Sequence, residues 1–224
     1  HDDHSCLSEL LLSEHALTLI TTREIYECAL LKAAHILGEP VEMVKSMVRF
    51  VEVVPGKTYE MYGATWEFFY TVHSIPTVGF RVTVRDENGK THVVLHSSDN
   101  CHFKGVSQLV QAGTVTSAHA ERMKNLVRGD EALAMLDAGG GLIHGEPSDW
   151  DQAIAKYPET EFLFYHVNPS KVDPKYQVAR PGWGRTYLPL KQFSQSVYTG
   201  IIRALKLFEV KDSAWINVLL AQGH

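Results

Sequence analysis

"HDDHSCLSELLLSE" (residues 1–14) sets imidazole, carboxylate, carboxylate and imidazole on four consecutive positions and then turns apolar. Side chains at adjacent positions point in different directions, so His1, Asp2, Asp3 and His4 suit a tight loop rather than one helix face, and a loop of these groups converges most naturally on a metal ion. Ser5 then stands where the cap of a short helix through the leucines is expected. The chain opens inside this cluster and without Met, so we expect it to be an internal piece of a longer polypeptide.

The bulk properties narrow the setting. A chain of 224 residues that is 45% hydrophobic can bury one large core. A net charge of −5 offers no general basic field, which disfavours long nucleic acid as a partner. Cys6, Cys28 and Cys101 are far apart and odd in number; they argue against a disulfide framework and a thiolate zinc site, and they fit a reducing cytoplasm. No apolar run is long enough for a membrane span and no secretory leader opens the chain, so a soluble cytoplasmic protein is expected.

The pattern along the chain is mixed α/β. "LTLITT" (17–22) reads as a strand, "REIYECALLKAAHILG" (23–38) as an amphipathic helix ended by Gly38, and "PVEMVKSM" (40–47) as a second helix starting at proline. From residue 48 the period becomes two, and "RFVEVV", "KTYEMYG", "TWEFFYTVH", "TVGFRVTVRD" and "KTHVVLHSSD" predict a meander of successive strands with an Asn-Gly hairpin at "ENGK". Helices come next near 105–112 and 116–128, then the strand "EALAMLDA", a helix from Ser148 or Asp149 to Lys156, the strand "EFLFYH", and a proline-rich loop over 166–190.

Three of these strands run into a polar group. "TWEFFYTVH" ends at His73, "THVVLHSSD" at Asp99 and "EFLFYH" at His166, the way a rigid sheet presents a site at one edge. Imidazole and carboxylate without thiolate favour zinc, iron or manganese. Two such ions about 3.5–4 Å apart clamp a phosphoryl group and bring the pKa of a shared water toward ~7.

In this arrangement the chain resembles the metallo-β-lactamase superfamily, in particular its branch of RNase Z and related phosphodiesterases. "HDDH" matches the last four positions of the H-x-H-x-D-H signature, "VHSIPTVGF" the next histidine motif, "LHSSDN" the bridging-aspartate motif, and "MLDAGGGLIHGEPSDWDQAIAKYPETEFLFYHVNPS" the closing segment. The resemblance implies an α/β fold, an αββα sandwich of two mixed sheets whose first strands would precede His1. It implies two divalent ions, zinc first and iron or manganese as alternatives, held by His1, Asp3, His4, His73, Asp99 and His166. It also implies hydrolysis of a phosphodiester by metal-bound hydroxide oriented by Asp3 or Asp99, with His144 protonating the leaving oxygen. The alternative, His144 as ligand with His166 behind it, stays open.

The acidic surface favours a small substrate such as a cyclic nucleotide over long RNA. Rival readings are di-iron oxygen or redox chemistry within the same superfamily, and a sensor that keeps the metal-binding fold without turnover. The second rests on the tail: residues 1–192 read as the hydrolase domain, whereas 193–224, with Leu205, Leu207, Phe208, Trp215, Leu219 and Leu220, look like helices leading into a cyclic-nucleotide-binding domain. A cyclic-nucleotide effector and a homodimer are the matching partner expectations.

Other residues are expected to be structural. His92 and His96 share a strand face, His102 and His119 read as structural or exposed, His15 and His35 lie on helical segments, and Cys101 packs. "DAGGG" lacks the spacing of a phosphate loop. Lys171, Lys175, Arg180 and Arg185 form either a solvated face or contacts to substrate phosphate.

Overall fold

In the computed structural model, residues 6–13, 17–141 and 143–179 are described; they divide into two compact units, one up to Lys57 and one from Thr58 on. His1, Asp3 and His4, His15, Arg180, Arg185 and the tail over 193–224 lie outside the described residues.

The first unit holds α1 (Cys6–Ser13), β1 (Leu17–Thr21), α2 (Arg23–Leu37), α3 (Val41–Ser46) and β2 (Val48–Glu52). Helix α2 stops where expected: Gly38 takes the left-handed conformation at φ 69° and its N–H donates to the Ala34 carbonyl. Pro40 stands immediately before α3, where its missing N–H leaves no hydrogen bond unmade. Strand β2 departs from the sequence expectation. "RFVEVV" does not open the meander; β2 pairs in parallel with β1, Leu17 opposite Val48, in a separate two-stranded sheet. Alternation of apolar residues marks a strand but not its partner, and the long α2–α3 crossover is what a parallel pair needs. Tyr26 of α2 stacks on Phe50 of β2 with ring centroids 3.9 Å apart, and the Arg23 guanidinium reaches both that ring and the Glu52 carboxylate.

The second unit is built on a six-stranded sheet in chain order, β3 (Thr58–Met61), β4 (Ala64–Tyr70), β5 (Val78–Arg85), β6 (Thr91–His96), β7 (Glu131–Asp137) and β8 (Glu161–Tyr165). β3 to β6 pair antiparallel, and β6, β7 and β8 pair in parallel. The parallel steps are crossed by α4 (Phe103–Gln111) and α5 (Ser117–Lys124), then by a 3-10 turn (Pro147–Trp150) running into α6 (Asp151–Lys156). The two-residue hairpin is not at Asn88-Gly89. It lies at Tyr62-Gly63, with φ 55° and 74°, while the hairpin expected at "ENGK" does join antiparallel β5 and β6, through a five-residue loop in which Asp86 accepts the Asn88 and Lys90 N–H groups.

Leu95, Ala134, Leu136, Phe162 and Phe164 from the sheet pack with Val106, Met123 and Trp150 from the crossover segments. Phe164 is fully buried, and truncating it to alanine would cost about 3–5 kcal/mol. This core makes β6, β7 and β8 a rigid frame, and it holds in place the loops that leave their carboxyl ends.

Candidate metal centre

Strands β4, β6, β7 and β8 all run the same way, because β4 is antiparallel to β5 and β5 to β6. Their carboxyl ends therefore lie along one edge of the sheet. That edge carries His73 after β4, Asp99 after β6, Asp137 at the end of β7 and His166 after β8, with His144 in the β7–α6 connection. Open α/β sheets build sites at such an edge because the loops diverge there.

Asp99, Asp137, His144 and His166 each offer a ligand atom within 4.8 Å of the others. Both aspartates are buried, Asp137 at 2% exposure, and both histidines are partly buried. His166 Nδ1 lies 3.3 Å from Asp137 Oδ1 and 3.5 Å from Asp99 Oδ1. His144 Nδ1 lies 3.0 Å from Asp137 Oδ2. His73 joins from the side: its Nε2 is 3.8 Å from Asp99 Oδ2, its Nδ1 is 3.0 Å from the Ile143 carbonyl, and its ring centroid is 5.0 Å from that of His144. The structure thus places His73, Asp99, His144 and His166 close together, with Asp137 among them.

Asp137 is missing from the sequence-based candidates because it stands in front of the glycine cluster, where it reads as part of a phosphate loop that lacks the necessary spacing. The rule that singles out His73, Asp99 and His166, a polar group at the end of an apolar strand, applies equally to "EALAMLD" and is the signal that finds it.

Backbone conformation at the edge is unusual. Ser98 and His166 adopt positive φ, 53° and 66°, a conformation that costs such residues roughly 1–3 kcal/mol. Each sits beside or at a group of the cluster, where the sheet holds this local strain. The glycines serve close approach. A Cβ on Gly139 would lie 2.9 Å from His144 Cγ and 3.0 Å from His166 Nδ1, and one on Gly145 would lie 2.7 Å from the Asp137 carbonyl oxygen.

The electrostatics derive from the contacts. Hydrogen bonds that the His166 ring donates to the Asp137 and then the Asp99 carboxylate raise its pKa to about 10, against the opposing effect of burial. Burial pushes the Asp137 carboxyl up, but hydrogen bonds from His144, His166 and the Asn100 N–H outweigh it and leave its pKa below the usual carboxylate range. His96 lies between Phe80 and Tyr165, centroids 5.3 and 4.8 Å away, and burial lowers its pKa to about 4. His96 is structural, as expected; so are His92, paired with Asp86, and His102, whose Nδ1 accepts the Lys104 and Gly105 N–H groups at the start of α4. Cys101 is buried in the core and the site has no thiolate among the described residues. Lys175 pairs with Asp151 at 3.4 Å on the exposed side of the closing loop.

An acidic and imidazole donor set of this kind, half buried on a rigid edge, suits a hard-to-borderline divalent ion such as zinc, iron or manganese.

No protein-family profile matches the chain. The chain is 26% identical over 186 residues to the cAMP/cGMP-dependent 3',5'-cAMP/cGMP phosphodiesterase B of Dictyostelium discoideum, covering 82% of this chain and 16% of that protein. It is 32% identical over 147 residues to the cGMP-dependent 3',5'-cGMP phosphodiesterase A of the same organism, covering 64% of this chain and 16% of that protein. The chain is similar to cyclic-nucleotide phosphodiesterases. It spans about a sixth of the length of these relatives. Similar solved structures include one described as a metallo-β-lactamase-fold protein and one described as a tRNase Z. The first is YhfI of Bacillus subtilis, at 12% identity and TM-score 0.41 over 81% of this chain and 60% of that one, and the second is the short form of human tRNase Z, at 11% identity and TM-score 0.45 over 79% and 70%.

Proposed function

We propose that this chain carries catalytic residues of a divalent-metal-dependent phosphodiesterase whose substrate is a small phosphodiester, a 3',5'-cyclic nucleotide first among them. The observation that carries the reading is the convergence of Asp99, Asp137, His144 and His166 within 4.8 Å at the carboxyl edge of the parallel strands. The phosphodiesterases to which the chain is similar support the substrate class.

Bound ions would supply Lewis acidity toward the phosphoryl oxygens and a water acidic enough to react near neutral pH. The ligand set proposed from the chain is His73, Asp99 and His166, together with His1, Asp3 and His4 of the opening motif; zinc is the first candidate ion, and two ions the proposed number. Asp99 contributes charge at the centre of the cluster, 3.5 Å from His166 and 3.8 Å from His73. His144, partly buried beside Asp137, is the imidazole that would hand a proton to the leaving oxygen. The edge is stiff, so these groups need little rearrangement on binding. A cyclic-nucleotide effector acting through the tail and a cytoplasmic homodimer remain part of the same proposal.

The test is hydrolysis of 3',5'-cGMP and of bis(p-nitrophenyl) phosphate by the protein with zinc or manganese, beside an Asp99→Ala variant, with metal counted in the same samples. Metal-dependent turnover that falls to the uncatalysed background in the variant, together with loss of bound ion, supports the reading. Full occupancy with no turnover of either diester would replace it by a metal-holding sensor.

A further inference from the structure

The four-residue cluster contains two carboxylates, and they are not equivalent. Asp137 is saturated. Its Oδ1 accepts the Gly139 N–H at 3.1 Å and faces His166 Nδ1 at 3.3 Å; its Oδ2 accepts the Asn100 N–H at 2.9 Å and the Gly145 N–H at 3.4 Å, and faces His144 Nδ1 at 3.0 Å. A carboxylate offers about four lone-pair positions, and five donors already compete for them. Its own backbone is locked as well, since the Asp137 N–H donates to Ser97 Oγ, which also meets the Tyr165 hydroxyl at 3.1 Å. An ion seated on Asp137 would have to displace either peptide N–H groups of a packed loop or both imidazoles.

The histidines show the complementary pattern. His73 places Nδ1 on the Ile143 carbonyl, an acceptor that cannot donate, so that nitrogen carries the proton and Nε2 is left for another partner. His144 and His166 place Nδ1 on Asp137. All three anchoring acceptors belong to Asp137 and Ile143, near which the Gly140 N–H donates to the Gly145 carbonyl at 3.0 Å. Gly139 and Gly145 leave no room for a side chain.

We infer that Asp137 is a positioning residue and not a metal ligand: it pins Nδ1 of His144 and His166, as the Ile143 carbonyl pins His73, so that all three imidazoles present Nε2 to the ion or substrate. This rests on the reading of the edge as a metal site and specifies which atoms do the work. These contacts fix tautomer and ring plane together, which raises the basicity of an imidazole ligand and removes the choice between its two nitrogens.

The decisive measurement needs no variant. Long-range proton–nitrogen NMR correlations on the zinc-loaded protein report the state of each ring nitrogen. Protonated Nδ1 is expected at His73, His144 and His166, with zinc-shifted or unprotonated Nε2 at His73 and His166 and an Nε2 at His144 that exchanges a proton with solvent. An Nε2–H tautomer at His144 or His166, with Nδ1 shifted by zinc, would place the ion between those nitrogens and Asp137 and overturn the inference. A variant adds a second reading. Asp137→Asn should keep the number of bound zinc ions and weaken their affinity about 10–100-fold in a chelator competition, whereas loss of one ion at saturating zinc would mark Asp137 as a ligand. If zinc does not bind at all, the metal reading fails by itself. The anchoring is then read on the metal-free protein, where slow solvent exchange of the Nδ1 protons of His144 and His166 supports it and fast exchange refutes it.

Discussion

Two ionic clusters sit on the same six-stranded sheet, and they differ in what their donors leave over. Around Arg81, the guanidinium reaches Glu131, Asp130 at 3.2 Å, the Leu126 carbonyl at 2.8 Å and Glu67 at 3.9 Å, and Arg128 closes on Glu67 at 2.6 Å. Arg81 and Glu131 are both buried. A guanidinium is permanently protonated and has no lone pair, so this cluster is chemically closed. At the carboxyl edge the carboxylates meet imidazoles instead, and an imidazole that gives one nitrogen to a carboxylate keeps a second for a ligand. Burial of charge is common to both. The kind of base decides which cluster holds the sheet together and which can do chemistry.

The largest effect should come from opening the closed cluster. Glu131→Ala takes the buried carboxylate from Arg81, leaves it Asp130, Glu67 and the Leu126 carbonyl, and frees the Arg128 and Gly129 N–H groups; a cost of about 3 kcal/mol in urea unfolding is expected, of which the double change Arg81→Met with Glu131→Leu restores only part. Zinc content per folded chain should stay unchanged in both; a change would mean that the two clusters act as one.

Acid should separate them next. His96 is neutral in the fold down to a pKa of about 4, against an ordinary value of 6.5, so protonation favours the unfolded chain and stability is lost as pH falls from 6.5 toward 4. The loss amounts to about 3 kcal/mol by linkage, and His96→Gln should flatten that part of the stability profile. His166 works in the opposite sense: its raised pKa stabilises the metal-free fold fully below 6.5, and this contribution fades only as pH rises through about 10. The acid loss therefore reports His96, and an unchanged profile in His96→Gln would contradict its neutral burial between Phe80 and Tyr165.

The smallest change sharpens the open cluster. Gly139→Ala puts a methyl within about 3 Å of both anchored imidazoles, so zinc affinity should fall about 10-fold with unfolding free energy altered by no more than about 1 kcal/mol. Isothermal titration with zinc and urea unfolding on the same preparation check the two numbers. Equal losses in both would show that the segment serves the fold more than the site.

The two clusters also differ in how legible they are in the sequence. His73, Asp99 and His166 are visible because each comes after an apolar strand, a pattern that needs no knowledge of partners. Asp137 obeys the same rule but is masked by the glycines after it, of which Gly139 approaches His144 and His166 closely, a purpose that exists only in three dimensions. The Arg81 cluster is invisible: Arg81 and Glu131 are separated by 50 residues, and nothing local marks either as buried. β2 is recognisable as a strand but not by its neighbours, since period-two patterning carries no address.

What the amino-acid sequence determined by itself is the local grammar: the period that sets helix against strand, the glycine that stops α2, the polar groups at strand ends, and the imidazole and carboxylate composition that suits divalent metal. These depend on residues within a turn or two of one another. Tertiary structure alone decided that β4, β6, β7 and β8 end along one edge, that Asp137 takes its N–H partners from Asn100, Gly139 and Gly145, and that the nitrogens of His144 and His166 are told apart. Those features are distances between groups far apart in the chain, and only the packing of the sheet against its crossover helices sets them.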